Sequence, residues 1–488
     1  MTKLSSAALP EAIRSFSYDR AAVSSGILHF GIGNFHRAHQ AMYCEDLLER
    51  GDTQWGITGV SLRSSAMRDD LRPQDYLYIL AILGDHTEFR CIGAIQNVLV
   101  APEDPAAVIA AIARPATQIV SSTISEKGYY LGAQGPQTDH PAMAAELASL
   151  DSPTTIFGYI ARGLIARSHT DAKLTIMCCD NISGGGEIMQ QGVTQLLAKH
   201  APDTLAWAKT HVSFISSMVD RVSPATDDAL RETVFAQTGR RDARPVSAEP
   251  FTQWIIQDNF AGARPDFANV GAVFVSDIAP FERMKLRYLN AAHTIASTLG
   301  HLANTTYVHE ALGEASILTF MRRALYESVL PHAAVPEGVD GEAYIEDVIA
   351  RFQNQNLPYA NLQVGTDSSQ KIQQRWFPTI DLAAAQKGDT RFFQFALAAW
   401  VIFISSALKE DVLNDPKKTD FQSAMTDDLD ARITAFLNIA AVDQFAFSRD
   451  NDFMTGLRRY AAEIDADGIT AALERFLAPH REAPLLAI

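Results

Sequence analysis

The sequence predicts an α/β domain followed by a mostly α-helical C-terminal domain. Up to about residue 280, short apolar runs of strand length alternate with helical segments, which is typical of a parallel sheet with crossover helices. Beyond that point, long Ala- and Leu-rich stretches with helical periodicity dominate, separated by Pro and Asp breaks. We therefore expect two domains, residues 1–280 and 281–488.

The overall composition restricts the classes of partner. With 57 acidic against 41 basic residues the net charge is −16, and an acidic surface repels phosphate backbones and anionic membranes. Hydrophobic residues make up 47% of the 488 positions, which is ample for a large core. We expect a small-molecule ligand, no nucleic acid, no membrane partner, and a monomer or small homo-oligomer.

Targeting signals and cysteine chemistry are not expected. The N-terminal segment lacks the apolar core of a secretory signal, and the most apolar run, 395–408, is shorter than the roughly 20 residues that span a bilayer. The apolar run predicts a buried helix, and together with the missing secretory signal it leads us to expect a cytoplasmic protein. Cys44, Cys91, Cys178 and Cys179 show no metal-ligand spacing, so we expect neither a disulfide scaffold nor a metal site.

The first element of the α/β domain is a strand, a glycine turn and a helix. Residues 26–30 are apolar, Gly31 and Gly33 form the turn, and an Ala- and Leu-rich helix follows to Leu48. This arrangement predicts a Rossmann-type domain that places a pyrophosphate at a helix N-terminus. His36 stands where the third glycine of the usual pattern would be, and an α/β scaffold without nucleotide is the alternative. The predicted cofactor-binding residues of this turn are Gly31, Ile32, Gly33, Asn34 and Phe35.

Later strands extend the sheet, and the second one bears on cofactor choice. Apolar runs at 55–62, 117–123 and 173–179 predict further strands. Sites for NAD usually have Asp or Glu at the end of the second strand, where a carboxylate binds the ribose hydroxyls. Here that strand ends in Arg63, followed by two serines. Arg63 could meet a 2′-phosphate or lie over the adenine; we expect NAD, with NADP left open.

Two polar segments follow predicted strands of the same domain. Asp180 and Asn181 precede a glycine-rich loop at the end of the 173–179 strand, and strand ends in α/β sheets are where ligands bind. The alternative is turn chemistry, since both residue types favour turns. Asp220 and Arg221 stand before Pro224, where a structural ion pair is as good an explanation as a ligand site.

The helical domain opens with Lys285, Asn290 and His293 in an otherwise apolar segment. A lysine that can lose its charge, beside an amide and an imidazole, is suited to removing a proton from a hydroxyl group. The alternative is a solvated helix face. Ligand sites often lie at domain junctions, and this favours a catalytic role for the three residues over a solvated helix face.

Further along the helical domain, Lys371 and Arg375 lie at i and i+4, where they could bind a hydroxylated or anionic substrate. An exposed helix start capped by Ser368 or Ser369 is the alternative.

With these residues in view, the chain resembles the mannitol dehydrogenase family of polyol-specific long-chain dehydrogenases. The resemblance runs from about residue 26 to the end of the helical domain. It rests on GIGNFHRAHQ (31–40), SEKGYY (125–130), CDNISGGG (179–186), MVDRVSP (218–224), EPFTQWIIQDNF (249–260), KLRYLNAAH (285–293) and SQKIQQR (369–375). It implies a dinucleotide-binding domain, a helical domain, and metal-free oxidation of a secondary alcohol of a sugar alcohol or reduction of the matching ketose or ketouronate.

The resemblance also implies roles for particular residues. Lys285 is expected to be the general base, with Glu282 relaying its proton to solvent. Donors to the reacting oxygen are expected to be Asn181, Asn290 and His293. Asp220, Arg375 and Lys371 are the expected substrate contacts.

Three functions are consistent with these residues. The first is a polyol dehydrogenase acting on mannitol or a pentitol such as arabinitol, and the second a hexuronate reductase for fructuronate or tagaturonate. The third, a non-catalytic dinucleotide sensor, has no need of Lys285, Asn290 and His293 together. Because Lys285 precedes His293 by about 12 Å of straight helix, we expect it at or before the first turn of that helix.

Overall fold

The computed structural model describes residues 3–5, 9–11, 13–132 and 135–478. By its internal contacts the chain divides into two compact units, Met1–Ala279 and Pro280–Ile488. The first unit contains the sheets and the second is built of helices, which confirms the predicted fold class.

The strands of the first unit form a large sheet, a smaller sheet and a hairpin. Their bounds are β1 Ile13–Arg14, β2 Ile27–Phe30, β3 Ile57–Ser61, β4 Tyr78–Leu83, β5 Thr87–Ile92, β6 Ile95–Val100, β7 Ile119–Ser122, β8 Leu131–Gly132, β9 Gly135–Pro136, β10 Leu174–Cys178, β11 Val212–Asp220, β12 Val246–Ala248, β13 Gln253–Gln257 and β14 Val273–Val275. The predicted strands at 55–62, 117–123 and 173–179 correspond to β3, β7 and β10.

The large sheet has the strand order β14-β13-β11-β10-β7-β2-β3-β6. From β6 to β11 every neighbouring pair is parallel, and numbering those six strands along the chain gives the spatial order 3-2-1-4-5-6 of a dinucleotide-binding fold. The strand β13 runs antiparallel to β11. The chain order reverses between β2 and β7, and ligands of such sheets bind at the carboxyl ends of the strands beside that reversal.

Both faces of this sheet are covered, which explains why its central strands are largely apolar. Neighbouring residues of one strand join different cores: Ile119 and Met177 pack into one, Val120 and Ile176 into the other. Parallel sheets buried on both faces require such continuous hydrophobic runs. The helices of this unit are α1 Asn34–Ala38, α2 Gln40–Glu49, α3 Ala66–Leu71, α4 Pro105–Ala113, α5 Pro141–Ala148, α6 Ile156–Arg167, α7 Gly185–His200, α8 Pro202–His211 and α9 Asp228–Thr238.

The second unit packs its helices around one core. They are α10 Ala279–Lys285, α11 Ala291–Leu302, α12 Val308–Gly313, α13 Ala315–Arg323, α14 Gly341–Phe352, α15 Asn361–Val364, α16 Ser368–Arg375, α17 Phe377–Ala385, α18 Arg391–Lys409, α19 Lys418–Ser423, α20 Leu429–Ile439, α21 Asn451–Asp467 and α22 Ile469–Leu477. Two π-helical segments, Leu286–Asn290 and Ala324–Val329, follow α10 and α13 directly.

The apolar run at 395–408 lies in α18, a 19-residue helix. Its length and hydropathy would allow a membrane span, but 83% of its most apolar 18-residue stretch is buried inside the protein, as in a core helix. Burial of this segment confirms the prediction made from its composition.

Two details of the predicted helices are wrong. The helical periodicity of residues 461–477 predicts a single helix, but α21 ends at Asp467 because Gly468 has a φ of 79°, which interrupts the helical path. The start of α16 is not an exposed serine cap. Ser368 and Ser369 are buried, Asp367 is the N-cap residue, and the backbone N–H of Ser369 donates to Asp415 Oδ2 at 2.9 Å.

Candidate active site

A cleft of about 450 Å³ lies at the carboxyl ends of β2, β3 and β7, beside the reversal in strand order. Three loops that follow these strands supply most of its walls, and α6 contributes its first residue. The lining residues are Gly31, Ile32, Gly33, Ser61, Leu62, Arg63, Ser64, Ala66, Met67, Thr123, Ile124, Gly128, Tyr130, Thr154, Thr155, Ile156 and Arg244. This is where a dinucleotide binds in a fold of this strand order.

The two glycines of the turn have different structural requirements. Gly31 has a φ of +96°, and a Cβ added there would lie 2.1 Å from the carbonyl oxygen of Thr123. Gly33 has ordinary backbone angles and is the N-cap residue of α1, and a Cβ there would meet nothing within 4 Å. Gly31 therefore shapes the turn, while Gly33 keeps space open along the cleft. Open space at the second glycine is what close approach of a pyrophosphate requires, so these residues fit a dinucleotide.

The position of the missing third glycine is filled by a buried ring. His36 stacks on His29 of β2, with ring centroids 3.5 Å apart and 15° between the planes. Complete burial lowers the pKa of His29 to about 3 and lowers the pKa of His36 well below its ordinary value. Two neutral imidazoles thus pack α1 against the sheet where other sequences use a glycine to bring helix and strand together.

The other residues predicted from the glycine motif have packing roles. Asn34 donates to the carbonyl oxygen of Pro224 at 3.0 Å and accepts from Arg37 at 2.8 Å, and Phe35 stacks on His39. Neither is among the residues that line the cleft. The structure brings together Gly31, Ile32, Gly33 and Arg63, and leaves Asn34 and Phe35 outside this group.

Asp180 joins two loops at the carboxyl edge of the sheet. Its carboxylate accepts the backbone N–H groups of Ile124 and Ser125, each at 2.9 Å, and the hydroxyl of Tyr129. Burial raises the pKa of Asp180, and these hydrogen bonds oppose that increase. Asn181 follows it and is exposed. Asp180 therefore has the structural role that was the alternative to ligand binding, and it holds the loop that carries Asn181.

Asp220 and Arg221 do not form a simple surface ion pair. Asp220 is the last residue of β11 and is 4% exposed. Arg221 is also buried, and it donates to the carbonyl oxygens of Glu249 and Ala38. The guanidinium of Arg221 thus joins three segments of the unit through backbone carbonyl oxygens. In this motif the predicted substrate contact is Asp220.

In the second unit, Lys285 ends α10 and the π-helical segment Leu286–Asn290 follows at once. The backbone N–H of Ala291 donates to the carbonyl oxygen of Leu286, five residues earlier, as a π-turn requires. The helix that carries His293, α11, begins at Ala291, so Lys285 lies before its first turn, as expected. Lys285 belongs to a separate helical segment, α10, which the π-turn joins to α11.

The π-segment changes which residues share a face. An α-helix turns about 100° per residue, so Lys285 would be about 140° from Asn290 and about 80° from His293 in an unbroken helix. One extra residue in the widened turn makes these spacings equivalent to i,i+4 and i,i+7, or about 40° and 20°. Lys285, Asn290 and His293 then lie along one face, which we call the Lys285 face.

Side chains from α16 and the residue after it support the widened turn. The guanidinium of Arg375 donates to the carbonyl oxygen of Asn290 at 3.1 Å and to Thr294 Oγ1 at 2.8 Å. The indole N–H of Trp376 donates to the carbonyl oxygen of Ala291 at 3.2 Å. These donors engage consecutive carbonyl oxygens where the hydrogen-bonding pattern changes from π to α. Arg375, predicted to contact substrate, thus also orients Asn290.

The Lys285 face is little exposed and rich in positive charge. Lys285 is 9% and Asn290 8% exposed, while His293 stacks on Phe352 with centroids 4.0 Å apart. Burial lowers the pKa of His293 well below its ordinary value, and nearby cations lower it further: Arg375, Arg351, Lys285 and Lys371. His293 is therefore a neutral imidazole at physiological pH.

Glu282 and Lys371 complete the predicted group in this unit. Glu282 is half-buried on α10, one turn before Lys285, where i,i+3 residues are neighbours. The ammonium group of Lys371 is 3.4 Å from the carbonyl oxygen of Val364. Within the described ranges, no cluster of three or more His, Cys, Asp or Glu side chains is arranged to hold a metal ion.

Comparison with known proteins agrees with this geometry. The family model described as the mannitol dehydrogenase Rossmann domain matches residues 25–269, and the mannitol dehydrogenase C-terminal domain matches residues 277–456. This chain belongs to the mannitol dehydrogenase family. Family membership confirms the resemblance and identifies the protein as an oxidoreductase that acts on CH–OH groups with a nicotinamide dinucleotide.

Its relatives have more than one named activity. A D-mannonate oxidoreductase of Escherichia coli is 34% identical, over 90% of this chain and 93% of the relative. A mannitol 2-dehydrogenase of Aspergillus fumigatus is also 34% identical, over 94% and 95%. The solved mannitol 2-dehydrogenase of Pseudomonas fluorescens, a ternary complex with NAD and D-mannitol, superposes with a TM-score of 0.84 at 34% identity, covering 98% of this chain and all of that one.

Sequence reasoning missed residues that reach the cleft from distant segments. Arg244 lines it from a loop before β12, and Thr155 lines it as the N-cap residue of α6. No motif marks either position. Tyr130 belongs to the SEKGYY segment, which carried the resemblance but suggested no role for it.

Proposed function

We propose that this protein interconverts a sugar alcohol and its ketose, of the mannitol–fructose or pentitol type, with Lys285 as the general base. The single observation that carries this proposal is the Lys285 face, where a buried lysine, an amide and a neutral imidazole share one side of an interrupted helix. A packing helix has no need of this combination. A bound nicotinamide dinucleotide supplies the acceptor for the hydride that leaves the alcohol carbon.

The residue chemistry assigns a step to each side chain. A neutral Lys285 removes the hydroxyl proton as the carbon is oxidised, and in the reverse direction its ammonium returns that proton to the ketose oxygen. Glu282, one turn away, takes the proton onward to solvent. Asn181 and Asn290 donate through their amides to the oxygen as it acquires negative charge. His293, neutral under the influence of burial and the surrounding cations, orients the same oxygen without protonating it.

A hexuronate reductase is the second candidate, and the charge around His293 favours it. Arg375, Arg351, Lys285 and Lys371 all lower the pKa of His293, so four cations act on this part of the unit in a protein of net charge −16. Such a field favours a substrate that carries a carboxylate. The Escherichia coli relative is named as an oxidoreductase of D-mannonate, a sugar acid.

A substrate panel separates these candidates. Initial rates are measured with mannitol and arabinitol in the oxidative direction and with fructose, fructuronate and tagaturonate in the reductive direction. The leading proposal expects kcat/KM for fructose to exceed that for either ketouronate. The reverse order would favour the hexuronate reductase, and Lys371→Gln should then raise KM for the ketouronate more than KM for fructose.

The role of Lys285 is tested with a set of substitutions on one helix. Lys285→Met should reduce kcat by at least about 10²-fold, because general acid–base catalysis contributes about 10²–10⁴. Lys285→Arg should fail as well, since a guanidinium keeps its proton. Arg283→Met, at an exposed position of the same helix, is the matched control and should be close to wild type. Near-normal turnover of Lys285→Met would contradict the assignment.

A further inference from the structure

The cleft in the first unit has a distinct charge at the end of β3. This strand is the second of the dinucleotide-binding order, and its end is where the ribose of the adenosine half is recognised. Arg63 and Ser64 come two and three residues after the end of β3 and line the cleft, and Arg244 joins them from the loop before β12. Two guanidinium groups and a hydroxyl group thus lie around the position of the ribose.

The carboxylate that NAD sites use here has no counterpart. In the described part of the chain, the residues that line this cleft include two arginines and neither an aspartate nor a glutamate. The first acids after β3, Asp69 and Asp70, line a different cleft. Asp69 is also paired with Arg68. No carboxylate among these lining residues would repel a phosphate, and the carboxylate of Asp70, which is beside the cleft, is paired with Arg244.

The two arginines differ in how they are held. Arg244 donates through Nε to Asp70 Oδ2 at 2.7 Å, and its backbone N–H donates to Asp242 Oδ1 at 2.9 Å, so its position is fixed from two sides. Arg63 is exposed, and no described residue forms a hydrogen bond or ion pair with its guanidinium. Its charge acts on Tyr130, where it opposes the rise in pKa that burial causes. Arg63 therefore supplies a positive charge within the cleft that no carboxylate of the described residues pairs with.

We propose that Arg63, Ser64 and Arg244 bind the 2′-phosphate of NADP(H), and that the enzyme binds NADPH more tightly than NADH. The proposal rests on the cleft being the dinucleotide site of the proposed function. A phosphate monoester carries about −1.5 to −2 charges near neutral pH and three acceptor oxygens. A guanidinium fork matches those oxygens, and a serine hydroxyl adds a third donor. The sequence led us to expect NAD with NADP left open, and this proposal favours NADP.

The test is a direct binding measurement on the full-length protein, so it does not depend on a substrate. NADPH and NADH are titrated separately, and binding is followed by energy transfer from tryptophan to the nicotinamide. The dissociation constant for NADPH should be at least tenfold lower than that for NADH. Raising the salt concentration should weaken NADPH binding more than NADH binding, because charge pairing at an exposed site is screened.

Substitutions assign the effect to Arg63. Arg63→Gln should raise the dissociation constant for NADPH at least tenfold and change that for NADH less than twofold, whereas Arg63→Lys should retain most of the preference. Arg68→Gln is the matched control, because Arg68 is close in sequence but does not line the cleft, and it should alter neither constant. A circular dichroism melt of each variant verifies folding.

Three outcomes would overturn the proposal. If NADH binds as tightly as NADPH to the wild-type protein, the cleft does not recognise the 2′-phosphate. If Arg63→Gln weakens both nucleotides equally, Arg63 contacts a part common to both, such as the adenine. If neither nucleotide binds, the dinucleotide site of the proposed function is itself wrong. The last result differs from the first two, in which binding is retained.

Discussion

Replacing Gly31 by alanine should destabilise the first unit in a way that its neighbour Gly33 would not reproduce. The added Cβ would lie 2.1 Å from the carbonyl oxygen of Thr123, a backbone atom. Thr123 is held on both sides: its N–H donates to Phe30 at 2.8 Å, and its hydroxyl donates to the carbonyl oxygen of Gly31 at 2.7 Å. The clash therefore requires the turn or the end of β7 to move.

Two costs contribute to the expected loss of stability. A non-glycine residue held at a φ of +96° costs about 1–3 kcal/mol. Inserting a methyl group into a tightly packed site costs about 1–3 kcal/mol more. Gly31→Ala should therefore lower the free energy of unfolding by about 2–6 kcal/mol, which corresponds to a fall in Tm of about 5 °C or more in a domain of this size.

Gly33→Ala is the matched comparison, because its Cβ would meet no protein atom within 4 Å. As an N-cap change it should cost at most about 1 kcal/mol. The methyl group would occupy space that a pyrophosphate needs, so we expect dinucleotide binding to weaken at least tenfold. Denaturant unfolding and nucleotide titration are measured on both variants. Unchanged stability of Gly31→Ala, or unchanged nucleotide affinity of Gly33→Ala, would refute this account of the turn.

Further predictions concern a buried acid, the π-segment and metals. Burial raises the pKa of Glu45 to about 7. The protonated carboxyl group therefore contributes stability that is fully present below about pH 4.5 and is lost as the pH rises through 7. In the wild-type protein this lowers the free energy of unfolding by about 2–3 kcal/mol between pH 5 and 8, and Glu45→Gln should remove that decrease in denaturant unfolding. One carboxylate oxygen accepts from both the backbone N–H of Gly93 and the hydroxyl of Tyr18, so the amide oxygen of a glutamine can retain both hydrogen bonds. If the pH dependence of stability is the same in the variant, Glu45 does not have a raised pKa. Deleting Arg287 should convert the π-turn to an α-turn, in which Lys285, Asn290 and His293 keep the i,i+4 and i,i+7 spacings of one face. Turnover and nucleotide binding should therefore be largely retained, and a loss of turnover in a steady-state assay would contradict the account of the Lys285 face. Dialysis against EDTA should leave the rate unchanged, and a loss restored by added zinc would contradict the metal-free mechanism.

Local pattern was sufficient to predict several features of the first unit. The strand, glycine turn and helix around Gly31 were recognisable because a dinucleotide-binding turn needs a particular backbone at particular positions. Buried parallel strands are largely apolar, so β3, β7 and β10 could be identified within two residues of their ends. Burial of the apolar helix α18 followed from composition alone.

Other features depend on contacts between residues far apart in the chain. Arg244 reaches the cleft from a loop about 180 residues beyond β3, and no local signal predicts that placement. The acids that follow Arg63 could have lined the cleft, and only the folded α3 shows that they line another. The role of Asp180 in joining two loops likewise required the position of Tyr129, 51 residues earlier.

Lys285, Asn290 and His293 illustrate both kinds of information. The sequence by itself determined which chemical groups are present and that they occur at the start of a helical domain. It could not show that they share a face, because their spacing on a regular helix would separate them. The tertiary structure decided that point through the π-turn, which donors from Arg375 and Trp376, 85 residues later in the chain, support. Periodicity in a sequence reports the regular helix, whereas an irregular turn persists only where the surrounding fold stabilises it.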